Sequence, residues 1–494
     1  MADVLKVGYA VYPSVKLQKV VTDPEKKTKK LSFLKELLFG DFITPYLNKD
    51  GSDYVRLSDD KKEYIKVRSR NATGYIKESE IQAQRILEVN FIDVGQGDGC
   101  HIVTPDDKHF LIDAGGSTNM YRFLKWRFNL KWSKVAPPPF TVVISHSDKD
   151  HYEGFKKIFS LTEGASQQFT IEKIYHNGMI EAPVAKGTPE LKKLGSLIEH
   201  DGVRYITDLC ETDDDYQKRV QQVSPGNYIE TLLESSAPKQ ALRLGSEPLY
   251  DKDGLKMEIL APVAKMIDGK PALPSFGNLG KTKNGHSVVI KLTMVKLRLL
   301  LGGDLNTDSE DYLLKHFSGI DVADIKAQLK KKNLSEAKRQ DLEAQMEKAI
   351  IKARETLEVD IAKSCHHGSE DFTTEFLRTL NPLATIISSG DDEPYAHPRP
   401  DTLGTIGKYS RGERSLIFCT ELARSGKEFL DLSKMENTAA KKERVVTVYG
   451  MINVRTDGEK VVIAQKLERA SGKNSWDIHK LVWNKGKQEF EYTK

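Results

Sequence analysis

The 494-residue sequence predicts an α/β fold with its chemistry at strand ends, preceded by a small all-β barrel. Three observations carry this. Short strand-like runs spaced by turn residues fill positions 1–83, which argues for a small antiparallel barrel. From residue 86 onward, apolar strands alternate with helical stretches, the pattern of an α/β sheet. Titratable residues gather just after several of those strands, where such sheets place their sites.

Composition narrows the class. Lys plus Arg is 75 and Asp plus Glu is 71, a formal net charge of +4, so overall charge does not point to nucleic acid and any basic patch is local. A hydrophobic share of 39% is that of a globular chain, not of a disordered or collagen-like one. The length is that of about three domains. No window approaches the roughly 18 unbroken apolar residues of a spanning helix. The opening residues show no basic segment followed by an apolar one, so no secretory signal is expected. Cys100, Cys210, Cys365 and Cys419 are scattered without C-x-x-C spacing, as expected of reduced thiols in a cytoplasmic protein.

In order along the chain, strands are expected at 6–12, 41–45, 53–57, 64–68 and 74–77, with a polar, basic loop at 23–30. Gly40-Asp41-Phe42, followed by the run 64–77, resembles a bacterial SH3-like domain. That resemblance implies a docking module for a protein partner, or else a cap with no ligand. Residues 84–468 read as one catalytic domain and 469–494 as a C-terminal strand extension. Within the domain, 86–94, 100–104, 109–113, 140–145 and 171–175 read as strands, with a helix near 118–130. A polar, helical insertion spans about 185–245. Strands resume at 255–260, 287–293 and 297–301; 308–358 reads as mostly helical, and its part 321–360 as a charge-balanced helical hairpin at the surface in preference to a dedicated binding arm. Further strands are expected at 384–388, 415–420, 445–454 and 460–466.

The densest chemical signal follows the apolar strand 140–145. His146, Asp148, Asp150 and His151 fall within six residues. Imidazole and carboxylate are the ligands of Zn²⁺ and Mn²⁺. A stiff loop there can turn His146 and Asp148 towards one ion, and Asp150 and His151 towards a second about 3.5–4 Å away. A polar loop with a helix N-cap is the plain alternative, and four ligand types in six residues weigh against it.

The motif His146-x-Asp148-x-Asp150-His151 resembles the metal motif of the metallo-β-lactamase superfamily, with Asp148 where the commoner pattern has His. This variant resembles the hydrolase domain of ComEC-type competence proteins. Other stretches match in order: 91–99, 110–116, Asn284 to Ser287, Asp304 after Gly302-Gly303, 364–369, 395–400 and 450–458. The resemblance implies an αββα sandwich with helical insertions. It also implies two divalent metal ions, Zn or Mn, held by His146, Asp148, Asp150, His151 and a bridging Asp304. Either His366 or His367 completes the second site, His366 by preference. His176 is a further ligand to the first ion or a strand-end imidazole bonded to backbone. Asp113 is expected to orient a ligand histidine, with Asp98 in a similar part.

Asp150 doubles as proton acceptor, His397 as a phosphate contact or proton donor, and Arg399 as a fork for phosphate oxygens. The implied reaction is hydrolysis of a phosphodiester, with DNA as first-choice substrate and nucleic-acid partner. A small phosphodiester or other small ester is the second reading, and a non-catalytic scaffold the third. No membrane partner is expected. A nuclease joined to a barrel, without an uptake channel, suits defence against foreign DNA.

Overall fold

The computed structural model describes residues 4–22, 29–59, 61–130, 135–160, 169–390, 395–420, 450–471 and 474–493. It divides into two compact units. One comprises Met1–Asn90, Ile102–Lys108 and Ile452–Lys494, the other Phe91–His101 and His109–Met451.

The first unit is antiparallel. Its N-terminal strands lie in the order Lys29–Leu38, Ser14–Thr22, Ala72–Ile76, Lys62–Ser69, Phe42–Pro45, Gly8–Ala10, Ile81–Gln82, with Arg56–Asp59 also paired to Lys62–Ser69. Val15, Leu17, Leu37, Ile43, Ile65, Val67 and Ile76 fill the core between them. The long hairpin of Ser14–Thr22 with Lys29–Leu38 has no counterpart among the expected strands. Its lysines interrupt the apolar run because only part of it is covered, as in Val15 and Leu17. Of the expected loop 23–30, residues 23–28 lie outside the described residues, and Lys29 and Lys30 open the second strand of that hairpin. The unit also contains the meander Ile452–Thr456, Lys460–Ser471, Asn474–Asn484, Glu489–Thr493. Arg455, 3% exposed, donates to the Phe39 carbonyl (3.0 Å) and to Asp41 (2.9 Å), and so ties this meander to the N-terminal strands. Residues 445–449 of the strand expected at 445–454 lie outside the described residues.

The second unit mixes sheets and helices. Lys239–Ala241, Ile171–His176, Phe140–Val143 and His109–Ala114 run parallel. Phe140–Val143 is apolar almost throughout because it is a central parallel strand, covered on both faces. Another sheet has the order Tyr250–Lys252, Leu255–Ala261, Val289–Met294, Leu297–Leu301, Ile361–Lys363, Ala384–Ile387, Leu416–Cys419. It is antiparallel up to Leu297–Leu301 and parallel beyond.

The region 308–358 folds into helices Thr307–Ser318, Val322–Leu329 and Glu336–Leu357. It is not a detached surface hairpin. Leu342, Met346 and Ile350 are buried with Leu260, Leu300 and Phe376 in one core. The insertion 185–245 is less helical than its polarity suggests. It holds helices Asp213–Gln222 and Asn227–Leu233, and also the hairpin Ser196–His200 with Val203–Thr207. Among the described residues, no helix is long and apolar enough to cross a membrane.

Candidate metal centre

Four strands of the second unit deliver their following residues to one place. After His109–Ala114 and Phe140–Val143 come Gly115 and Ser145-His146. After Leu297–Leu301 and Ile361–Lys363 come Asp304 and the turn Cys365–Gly368. Ligand-type atoms of His146, His151 and Asp304 lie within 4.8 Å of one another. The same holds for Asp150, His151 and His367, for Asp98, Asp304 and His367, and for Asp98, Asp113 and His151.

Asp304 is the hub. Its Oδ2 is 3.1 Å from His151 Nε2, 3.1 Å from His367 Nε2 and 4.0 Å from His146 Nε2. His367 Nε2 is 3.5 Å from Asp150 Oδ2, and His146 Nε2 is 3.6 Å from Asp148 Oδ2.

Local structure explains the delivery. Helix Lys149–Phe159 begins straight after the metal loop and carries Asp150 and His151 in its first turn. Asp148 stands at the N-cap position but makes no capping hydrogen bond. Its carboxylate turns instead to Lys283 and His146. Gly97 adopts φ +104°, and a Cβ there would overlap the Asp150 carbonyl. Only glycine lets that loop close over the helix start, where the Asp98 N–H donates to Asp150 O (3.2 Å). His366 and His367 both take left-handed backbone angles, φ 48° and 54°. That conformation is costly for residues with a Cβ. The His366 N–H donating to Gly303 O (3.2 Å) and the Ser369 N–H donating to His366 O (2.8 Å) hold the turn.

The imidazoles are oriented from behind. His151 Nδ1 lies 2.8 Å from Asp113 Oδ2, which leaves Nε2 facing Asp304. Asp113 is itself fixed by the Ser145 N–H (2.7 Å) and hydroxyl (2.6 Å). His367 Nδ1 faces the Ser388 carbonyl at 3.1 Å and Asp98 at 3.3 Å. Ser287 Oγ accepts from the Asp304 N–H (3.0 Å) and lies 3.3 Å from His146 Nδ1.

Neighbouring cationic groups hold the carboxylates of the site ionised. Burial would raise the Asp304 carboxyl, but the charges of His151 and His367 hold it well below the usual carboxylate range. Burial likewise opposes ionisation of Asp148, yet His146 and Lys283 bring it down to about 2. Nε2 of His146, His151 and His367 and Oδ1 of Asp304 are buried and make no hydrogen bond of proper geometry. Buried polar atoms left this way are expensive. Imidazole nitrogens and carboxylates converging in this manner fit a divalent cation of the Zn²⁺ or Mn²⁺ kind.

The other expected residues divide. His176 is in none of these clusters; its Nδ1 accepts from the Gly178 N–H (3.0 Å), and burial lowers its imidazole to about 4. His366 is likewise outside them, with Nε2 3.5 Å from the Asn284 amide. His397 borders both histidines, its ring 5.9 Å from that of His366 and 6.3 Å from that of His367. Arg399 lies 3.4 Å from Glu370 and is 40% exposed.

Sequence reasoning missed Lys363. It is 3% exposed, pairs with Asp98, donates to Gly303 O (3.0 Å) and lies 3.7 Å from Asp304. A lysine ending the buried strand Ile361–Lys363, three residues before His366, was the available signal.

No protein-family model matches the chain. ComE operon protein 3 of Bacillus subtilis (strain 168) is 22% identical over 342 residues, 65% of this chain and 31% of its own length. The chain thus spans about a third of that curated relative. Igni18, a metallo hydrolase from the hyperthermophilic archaeon Ignicoccus hospitalis KIN4/I, aligns at 11% identity and TM-score 0.31 over 68% of this chain and 95% of its own. Tm1679, a metal-dependent hydrolase of the beta-lactamase superfamily, aligns at 11% identity and TM-score 0.30 over 67% of this chain and 95% of its own.

Proposed function

We propose that the chain is a metal-dependent hydrolase of the metallo-β-lactamase superfamily, in the ComEC-like branch, and that it cleaves phosphodiester bonds, with DNA the first-choice substrate. The observation that carries this reading is the convergence on Asp304 of the His146–His151 stretch and of His367, three segments far apart in sequence. Asp148, Asp150 and Asp304 make the ligand set rich in carboxylate, which suits ions that assist phosphoryl chemistry.

His146, Asp148, Asp150, His151, Asp304 and His367 would hold the metal. Bound divalent ions would lower the pKa of a water towards neutrality and offset the phosphate charge. The chain's own groups do the rest. Asp113, Asp98 and the Ser388 carbonyl fix the ring orientations, so that Nε2 of His151 and His367 faces inward. Asp150, 20% exposed, would accept a proton from an attacking water. His397, its ring 6.3 Å from that of His367, would donate to a departing alkoxide, and Arg399, 40% exposed, would offer its fork of donors to a phosphate oxygen. The N-terminal strands of the first unit are read as an SH3-like docking module for a protein partner.

The test is a panel of linear, circular and single-stranded DNA and bis(4-nitrophenyl) phosphate, each with Mn²⁺ or Zn²⁺, with Asp150→Ala as control. Metal-dependent turnover lost in the variant is expected. Intact DNA under every metal retires the nuclease assignment, and no turnover of any diester retires the phosphodiesterase.

A further inference from the structure

A cavity of about 290 Å³ opens beside the metal loop. Its lining includes Asp148, Tyr152, Glu181, Asn227, Tyr228 and Lys283. Asp148 belongs also to the candidate ligand set, so anything seated here lies next to the reacting centre. Asn227 and Tyr228 come from the insertion 185–245, at the start of helix Asn227–Leu233. The insertion therefore builds one wall of a compartment that the metal-bearing strands do not supply.

The chemistry of that wall is specific. Tyr152 and Tyr228 meet edge to face, with centroids 4.9 Å apart. Tyr228 is 3% exposed, and its hydroxyl makes no hydrogen bond among the described residues. A buried hydroxyl left without a partner is costly, and Tyr228 is part of this cavity's lining. Lys283 bridges Asp148 and Glu181, 3.1 Å from the latter, and the Ser147 hydroxyl donates to Glu181 at 3.1 Å. The compartment thus offers an aromatic edge, a hydroxyl, an amide and a braced carboxylate.

We propose that this cavity seats a single nucleoside unit joined to the scissile phosphate, so that the enzyme engages nucleotide phosphodiesters one unit at a time. The assignment rests on the hydrolase reading above. The volume is at the lower end for small-molecule pockets, roughly 300 Å³, which admits one nucleoside and no stacked run of bases. A duplex cannot enter it. The carboxylates and the ammonium exclude an acyl chain, because an apolar ligand would strip them of water with nothing in return. A nucleoside, with a flat ring and several donors and acceptors, matches the mixed aromatic and polar character of the wall. The same unit can come from the end of a nucleic-acid strand or from a small nucleotide diester.

Calorimetric titration of adenosine 5′-monophosphate into the Mn²⁺-loaded full chain tests this, with inorganic phosphate as second probe. The nucleotide is expected to bind tighter than phosphate. Tyr228→Phe should weaken it by about 3- to 10-fold, the worth of one hydrogen bond. Asn227→Trp, at an exposed helix start, should fill the cavity and weaken it more than tenfold on the same thermal stability. Nucleotide no tighter than phosphate, or unaffected by Asn227→Trp, overturns the assignment. Turnover of bis(4-nitrophenyl) phosphate by the wild type separates the two levels. Turnover with negative nucleotide results removes the cavity's role alone, and no turnover removes the phosphodiesterase and this assignment together. Mononucleotides released from a single-stranded oligonucleotide identify strand ends as the source, and cleavage confined to a dinucleoside monophosphate identifies the small diester. Closed circular duplex cut as fast as linear DNA contradicts seating by single units.

Discussion

His366 and His367 are neighbours in sequence with opposite surroundings. His367 Nε2 is 3.1 Å from Asp304 Oδ2, whereas His366 Nε2 is 3.5 Å from the Asn284 amide. His367→Ala is therefore expected to lower bound metal and reduce turnover at least 100-fold. His366→Ala should keep its metal while turnover falls less. Equal metal content in the two variants, measured by mass spectrometry of the elements, would put the ligand assignment in error. One step further out, Asp113 orients His151 at 2.8 Å without joining the face that meets Asp304. Asp113→Ala should cost roughly 10- to 100-fold in metal affinity, the usual effect of removing such a support. An unchanged titration curve would show that His151 holds its orientation unaided.

At the scale of elements, the metal loop depends on how closely helix Lys149–Phe159 backs onto strand His109–Ala114. The Gly154 N–H donates to Gly115 O at 2.8 Å, and a Cβ on Gly154 would overlap the Ala114 carbonyl. Gly154→Ala must push the helix away or strain the strand. A loss of about 1–3 kcal/mol in urea unfolding is expected, with falling turnover as Asp150 and His151 shift. Neutral stability would mean the helix can slide. A second contact between elements is pH-dependent. Glu310, on helix Thr307–Ser318, accepts from the Thr373 N–H (2.5 Å) just before helix Thr374–Leu380. Burial pushes its carboxyl up to about 8. The folded state therefore binds a proton more tightly than the unfolded chain, whose glutamate titrates near 4.3. The contribution is fully present below that value and is lost as pH rises through about 8. Glu310→Gln should gain stability over the wild type progressively between about pH 4 and pH 8, reaching on the order of 5 kcal/mol. A difference in melting temperature that stays flat with pH would show the carboxyl to be ionised throughout.

Across the whole molecule, legibility in the sequence followed locality. The stretch from His146 to His151 announced itself because its ligand types are adjacent and follow an apolar strand. Asp304 was readable only through the family resemblance, to which its place after the strand Leu297–Leu301 and a Gly-Gly gave a physical reading. The choice between His366 and His367 was not readable, because it turns on two left-handed residues that composition does not encode. Lys363 was passed over because a lysine at a strand end reads as a solvated charge until its partners Asp98 and Asp304 are brought in from elsewhere in the chain. The hairpin Ser14–Thr22 with Lys29–Leu38 stayed hidden behind its lysines, and the hairpin Ser196–His200 with Val203–Thr207 behind the polarity of the insertion. What ties the described architecture to a chemistry is one claim, that the residues gathered on Asp304 bind divalent metal. Equilibrium titration of the stripped full chain with Mn²⁺ and Zn²⁺, set against Asp304→Ala, addresses it directly. Saturable binding of at least one ion per wild-type chain, abolished in the variant at equal metal-free stability, is the predicted result, and a wild type that takes up no metal, or a variant that binds as well, would contradict it.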